Sequence, residues 1–201
     1  MKKWLLLISC TLLFGVLLSA CSKPEEDFSY DIESFEYKNQ DGEMVSSEEL
    51  EGTYWVADFI FTNCTNACPP MTANMAKIQS QLKEAGLEDN IRFVSFSIDP
   101  NHDSPKVLKE YAKKFDANFS NWDLLTGYDQ KEIKKFSIES FNSLVQRIPV
   151  EDAAEGQPDY NYMHSSSLFL VTPDGRAIKK YNGTDYSKVD ETVKSIKEFI
   201  E

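Results

Sequence analysis

Positive charge and histidine are scarce in this chain. Its 201 residues hold 21 Lys and Arg against 33 Asp and Glu, four cysteines, and only two histidines, His102 and His164. A surface so short of basic residues is a poor partner for nucleic acid or anionic lipid. Acidity of this kind ordinarily means solubility; its functional form is attraction to a cationic metal or to a basic patch on a partner protein. No internal repeat or low-complexity segment is visible, so a repeat array is not indicated. The length suits one globular domain with something added at the N-terminus, and two domains are not expected.

Long apolar runs are equally rare, and the one present lies at the start. Met1-Lys2-Lys3 is followed by the run Trp4 to Leu18 and then by Leu18-Ser19-Ala20-Cys21. A charged start, an apolar middle and small residues before a cleavage point describe an export signal. The run is bounded at once by Ser22-Lys23-Pro24-Glu25-Glu26-Asp27, so it reads as removed rather than kept as a membrane span. Leu-Ser-Ala-Cys resembles the lipobox of bacterial lipoproteins, which would make residues 1–20 the signal, Cys21 the lipidated first residue, 21–27 a tether and 28–201 the folded domain. Removing Lys2 and Lys3 leaves 19 basic against 33 acidic residues, a formal charge of −14. The domain is expected on the extracytoplasmic face of the bacterial cell membrane.

With Cys10 in the signal and Cys21 at the lipid site, the mature domain keeps Cys64 and Cys68. Two cysteines in an exported protein usually form a structural disulfide. Here a bridge would close so short a loop that it would restrict the unfolded chain little.

Along the chain, residues 28–50 alternate weakly around Asn39-Gln40-Asp41-Gly42, which predicts a hairpin. Tyr54 to Phe61 is apolar on both faces apart from Asp58, the pattern of a central strand covered by helices. Ala67 to Ala85 has helical spacing at Met71, Met75, Ile78 and Leu82. Ile91 to Ile98 is a second strand, and Ser104-Pro105 reads as a cap and first turn for a helix with its stripe at Val107, Leu108, Tyr111, Ala112 and Phe115. A short strand is expected at 122–126, a short helix at 129–136, and an insertion over 137–163 with a strand near 144–150. Strands at 166–171 and 176–181 flank the turn Thr172-Pro173-Asp174-Gly175, and a helix over 187–200 closes the chain. The order predicts an α/β domain whose sheet mixes parallel and antiparallel strands. A thiol pair after the first central strand, at a helix N-terminus, is similar to the thioredoxin fold.

The N–H groups and partial positive charge of a helix start stabilise thiolates and make them reactive. The spacing is C-x-x-x-C. On an ideal helix, Cβ atoms four residues apart are about 5–6 Å from each other, whereas a disulfide prefers about 3.8 Å. Metal–sulfur bonds of about 2.3 Å relax that demand, so the spacing leans toward metal, with a disulfide reachable if the first turn distorts. Two thiolates rarely saturate a metal, and of the two histidines His164, just before the strand at 166–171, is the better third ligand; His102 sits in a polar loop and reads as surface. Thiolates with an imidazole suit copper, Cu(I) and Cu(II) alike. Zinc is the competitor, with Asp99 or Asp103 completing its set.

Three ordered motifs, Phe61-Thr62-Asn63-Cys64-Thr65-Asn66-Ala67-Cys68-Pro69, then Ser95-Phe96-Ser97-Ile98-Asp99-Pro100 with Asp103-Ser104-Pro105, then His164-Ser165, resemble the Sco/SenC family over about residues 46–181. The resemblance implies a membrane-anchored, thioredoxin-like copper protein that helps assemble the dinuclear copper centre in subunit two of cytochrome c oxidase, with Cys64, Cys68 and His164 as the copper ligands. Asp99 and Asp103 match the family's acidic loop and are expected beside the ligands or facing a partner. Family members are often held by a transmembrane helix, and here a lipobox puts lipid in its place. The expected state is a monomer. Two other activities use the same thiols: a thiol–disulfide oxidoreductase that keeps the oxidase's copper-site cysteines reduced, with Cys64 attacking and Cys68 resolving, and a peroxide-reducing or redox-sensing thiol protein.

Overall fold

The computed structural model describes residues 24–153 and 158–201. The six-stranded sheet at its centre has the order β1-β10-β9-β4-β5-β6. These strands are β1 (Tyr30–Asp31), β4 (Tyr54–Ile60), β5 (Ile91–Ser97), β6 (Trp122–Leu125), β9 (Ser167–Val171) and β10 (Arg176–Asn182). β4, β5 and β6 run parallel, while β9 is antiparallel to β4, β10 to β9, and β1 to β10. Two small hairpins form sheets of their own: β2 (Glu36–Lys38) with β3 (Met44–Ser46), which Lys38 bridges to Thr126 just after β6, and β7 (Gln146–Pro149) with β8 (Tyr160–Met163). The helices are α1 (Cys68–Glu84), α2 (Pro105–Lys113), α3 (Gln130–Phe141) and α4 (Val189–Ile200). The expected thioredoxin-like α/β architecture is what the chain adopts.

Local chemistry explains the boundaries. Asn39 shapes the β2–β3 turn by accepting from the backbone N–H groups of Asp41 and Glu43, and Gly42 supplies a positive φ there. Ser104 caps α2 by accepting from Val107 N–H at 3.4 Å, with Pro105 at the first helical position. Asp129 caps α3 through Lys131 and Glu132 N–H, and Asn142 ends it in a left-handed conformation.

Strand alternation sorts β4 into two faces. Trp55 and Phe59 join Phe35, Phe96, Phe136, Phe141 and Phe169 in an aromatic cluster under α3 and the first hairpin. Each such ring withdrawn from water contributes about 1.5–3 kcal/mol, so this face fixes β4 firmly. Val56, Asp58 and Ile60 take the other face.

The insertion expected over 137–163 is trimmed at its start, and its expected strand near 144–150 is present as β7. The first five residues of that span belong to α3, and the remainder carries the β7–β8 hairpin. The buried face of α3 hides serines in its period: Ser137 Oγ donates to the Lys134 carbonyl and Ser140 Oγ accepts from Glu33 N–H. Neither reads as core in a sequence. The two-residue strand β1 is too short to carry a pattern.

Candidate metal centre

β4 ends at Ile60 and the chain turns at once into the thiol loop. Cys68 is the first residue of α1 and fully buried, whereas Cys64 lies in the loop before it and is partly exposed. Both are free thiols. Cys64 is therefore off the helix, and the distance expected for two cysteines on one helix does not apply. Its sulfur acts as a cap: Cys68 N–H donates to Cys64 Sγ at 3.3 Å. With Pro69 and Pro70 lacking donors, this is one of the few N–H groups the helix start offers. Hydrogen bonds from the Cys68 side chain and from the Cys68 and Asn66 backbone lower the Cys64 pKa, outweighing its burial. The Cys68 thiol is pushed up, as the partner of Cys64 and by its own burial. One thiol is poised to ionise first.

His164 follows β8 and reaches this pair from about a hundred residues away. Its Nε2 stands 3.6 Å from Cys68 Sγ, and its Nδ1 is 2.8 Å from the Ser165 carbonyl oxygen. A carbonyl only accepts, so Nδ1 carries the proton and the Nε2 lone pair faces the sulfur. That is how a histidine is held when its free nitrogen serves as a metal ligand. The ring also packs edge-on to Phe61 at 5.9 Å between centroids. Behind it, Gly183 N–H donates to the Ser166 carbonyl at 2.9 Å, and Asn74 of α1 donates to the Gly183 carbonyl at 2.8 Å. A Cβ on Gly183 would come within 2.7 Å of that Ser166 oxygen, so only glycine lets the end of β10 close on the histidine loop.

Among the described residues, no group of three or more His, Cys, Asp and Glu side chains is already set as a cluster for a metal ion. The two thiols and the imidazole nevertheless make a donor set of the soft kind. Asp99 and Asp103, the alternatives for completing a zinc site, are engaged elsewhere. Asp103 is fully buried and accepts from Thr62 N–H, Thr62 Oγ1 at 2.5 Å and Ser97 Oγ at 2.7 Å. Asp99 accepts from Tyr160 OH at 2.5 Å. Both stand beside the three candidate ligands rather than among them.

A match to the SCO1/SenC family model runs over residues 24–201. The chain belongs to the SCO1/SenC family. A SCO1/SenC family lipoprotein from Bacillus anthracis is 42% identical, with a TM-score of 0.75 over 90% of this chain and 99% of that one. BsSco, described as a member of the Sco family of cytochrome c oxidase assembly proteins with a disulfide switch, is 42% identical, with a TM-score of 0.71 over 87% and 97% of the two chains. Copper-bound ScoI of Arabidopsis thaliana is 27% identical, with a TM-score of 0.67 over 83% and 98%.

The other residues named from sequence fall outside this gathering. His102 is exposed in the turn after β5. Cys21, the expected lipid site, lies outside the described residues. Among the described residues, no helix is long and apolar enough to cross a membrane. A surface cavity of about 570 Å³ sits at the N-terminal end of β4, the far end of the strand from Cys64, and has neither cysteine nor histidine in its lining. His164 instead borders a groove of about 350 Å³ whose walls include Tyr30, Leu144, Met163 and Phe169.

Sequence reasoning passed over Asp58 as a lone interruption of an apolar strand. It is fully buried, among the described residues neither carboxylate oxygen has a well-formed hydrogen bond, and burial, only partly offset by the neighbouring Ser95 hydroxyl, holds its pKa up at about 7. The signal was present in the sequence, since a carboxylate in a strand covered on both faces requires a reason.

Proposed function

We propose that the chain binds copper through Cys64, Cys68 and His164 and takes part in maturing the dinuclear copper centre of cytochrome c oxidase subunit two. In this reading a lipid on Cys21 holds it at the extracytoplasmic face of the cell membrane. The observation that carries it is the imidazole Nε2 at 3.6 Å from Cys68 Sγ, with Nδ1 tied to a carbonyl. Family membership, copper in a solved relative and the oxidase-assembly description of another support it. Copper here is cargo: two sulfurs retain Cu(I), and the imidazole adds the harder nitrogen that favours Cu(II). The protein's own part is to supply an easily ionised thiol at Cys64, a second sulfur shielded from solvent at Cys68, and a histidine whose tautomer is already set.

Metal titration followed by absorption and electron paramagnetic resonance tests this. One equivalent of Cu(II) should give sulfur-to-copper charge transfer with nitrogen hyperfine structure. His164→Ala should lose the nitrogen signal and weaken Cu(II) by about 100-fold while retaining Cu(I) better. An unchanged spectrum in that variant would remove His164 from the ligand set.

The inequality of the cysteines favours a second reading, thiol–disulfide exchange. The Cys64 thiolate would attack a partner disulfide, releasing one partner thiolate, and Cys68, on losing its proton, would displace the other. The partner gains two electrons and the chain ends with a Cys64–Cys68 disulfide. Reduction of an oxidised oxidase fragment by copper-free protein, undiminished in His164→Ala, would favour this route.

A further inference from the structure

The two arms of the site are tied to one another through the loop after β5. On the thiol side, Thr62, two residues before Cys64, donates its N–H and hydroxyl to Asp103. Ser97 Oγ donates to Asp103 at 2.7 Å and accepts from Asp99 N–H at 3.1 Å. On the imidazole side, Tyr160 OH donates to Asp99 Oδ2 at 2.5 Å. Tyr162, two residues before His164, shares its hydroxyl proton between Gln130 Oε1 at 2.8 Å and Asp99 Oδ1 at 3.3 Å. Gln130 is fixed in that orientation because its amide nitrogen donates to the Ile98 carbonyl at 3.0 Å. A hydrogen-bonded chain thus runs from two residues ahead of one thiol to two residues ahead of the histidine.

The imidazole side depends on this tie more than the thiol side does. β7 and β8 pair with each other and with no strand of the main sheet. In β8 only Tyr162 is buried, and its ring packs on Phe61 at 5.1 Å. Asp99 is 3% exposed, so its bonds to the two hydroxyls are sheltered from water, where hydrogen bonds to a charged acceptor count most.

We propose that Asp99, through Tyr160 and Tyr162, is a positioning residue that latches the β7–β8 hairpin and so holds His164 against the thiol pair. This rests on the reading of Cys64, Cys68 and His164 as copper ligands. Opening the latch withdraws the imidazole and leaves the two sulfurs, which converts a site able to hold both copper states into one that prefers Cu(I). A partner that competes for the hydroxyl of the partly exposed Tyr160 would trigger release without touching the ligands.

The test is the Tyr160→Phe/Tyr162→Phe chain, which loses two hydroxyls and keeps both rings. In the metal-free protein, hydrogen exchange at residues 160–165 should quicken at least tenfold with β4 and β5 unchanged, and the His164 ring proton shifts should move. After Cu(II) loading, the sulfur charge transfer should stay while the nitrogen hyperfine structure is lost or broadened. Asp99→Asn, which keeps one acceptor, should fall between. Exchange at 160–165 within twofold of the parent overturns the latch. So does exchange quickened throughout the domain with a lowered Tm, which describes general structural damage, and so does a nitrogen signal retained despite fast local exchange. If the parent chain binds no copper, the proposed function fails, while exchange and ring shifts in the metal-free protein still decide the latch.

Discussion

The thiol arm and the imidazole arm meet within 3.6 Å but are built on different principles. The thiol arm grows from β4, between β5 and β9 at the middle of the sheet, with an aromatic cluster on one face and α1 starting at its end. The imidazole arm enters the main sheet at β9 on one side and on the other hangs on a two-stranded hairpin outside that sheet, held by a few polar contacts and one buried ring. Packing is stiff, whereas a small set of hydrogen bonds opens at modest cost. If the proposed copper role holds, a site that must both hold and surrender a metal is served by this division: two sulfurs that would stay and one nitrogen that would leave.

The largest effect expected from breaking the comparison lies within the stiff arm. Asp58 sits on the β4 face opposite the aromatic cluster with no well-formed hydrogen bond among the described residues, and burial raises its pKa to about 7. The folded value lies above the unfolded one of about 3.9. Its contribution is therefore fully present below about pH 4 and is lost as pH rises through 7, because the unfolded chain ionises this group more readily. Between pH 4.5 and 8 the parent should lose roughly 3 kcal/mol that Asp58→Asn does not lose. Urea unfolding of both proteins at the two pH values measures the difference. Equal pH slopes would show that Asp58 is not titrating inside the fold.

The next expectation concerns the two thiols of the same arm. In metal-free, reduced protein at pH 7, iodoacetamide should modify Cys64 about 100-fold faster than Cys68, since Cys64 is partly exposed with a lowered pKa and Cys68 is buried with a raised one. Peptide mapping by mass spectrometry over a time course reads the ratio. Similar rates would mean that the loop opens as a unit and that the stiff arm is not stiff at its tip.

The two arms also differed in how far they could be read from sequence. β4 was legible because seven consecutive residues that are almost all apolar have few alternatives, and α2 because Ser104-Pro105 states its own start. Of the hairpin that leads to His164 only the first strand was read, inside an expected insertion: its alternation is polar, and what holds it is contact across 61 residues between Asp99 and Tyr160, which no local pattern records. The placement of Asp99 and Asp103 near the site came from motif resemblance; the hydroxyls they accept came only with the fold. The thiol spacing was judged by ideal-helix geometry, and the structure puts Cys64 in the loop before the helix as a cap, because the first-turn N–H of Cys68 has no acceptor within the helix.

The smallest expected effect isolates the imidazole arm from the latch that holds it. Arg147 of β7 lies over the Tyr160 ring, its guanidinium carbon 4.0 Å from the centroid, and its link to Asp159 at 3.8 Å is exposed on both sides. Arg147→Met keeps an unbranched side chain on the ring and removes the cation, a loss of about 0.5–1 kcal/mol. Hydrogen exchange at 160–163 should therefore quicken by only about two- to fivefold, with β4 amides and the urea midpoint unchanged, because the hairpin opens locally and the sheet does not take part. An effect above tenfold would make the stacked guanidinium, rather than the Asp99 carboxylate, the principal tie on the hairpin. The flexible arm would then be controlled from its own solvent-exposed face instead of from the loop it shares with the thiols.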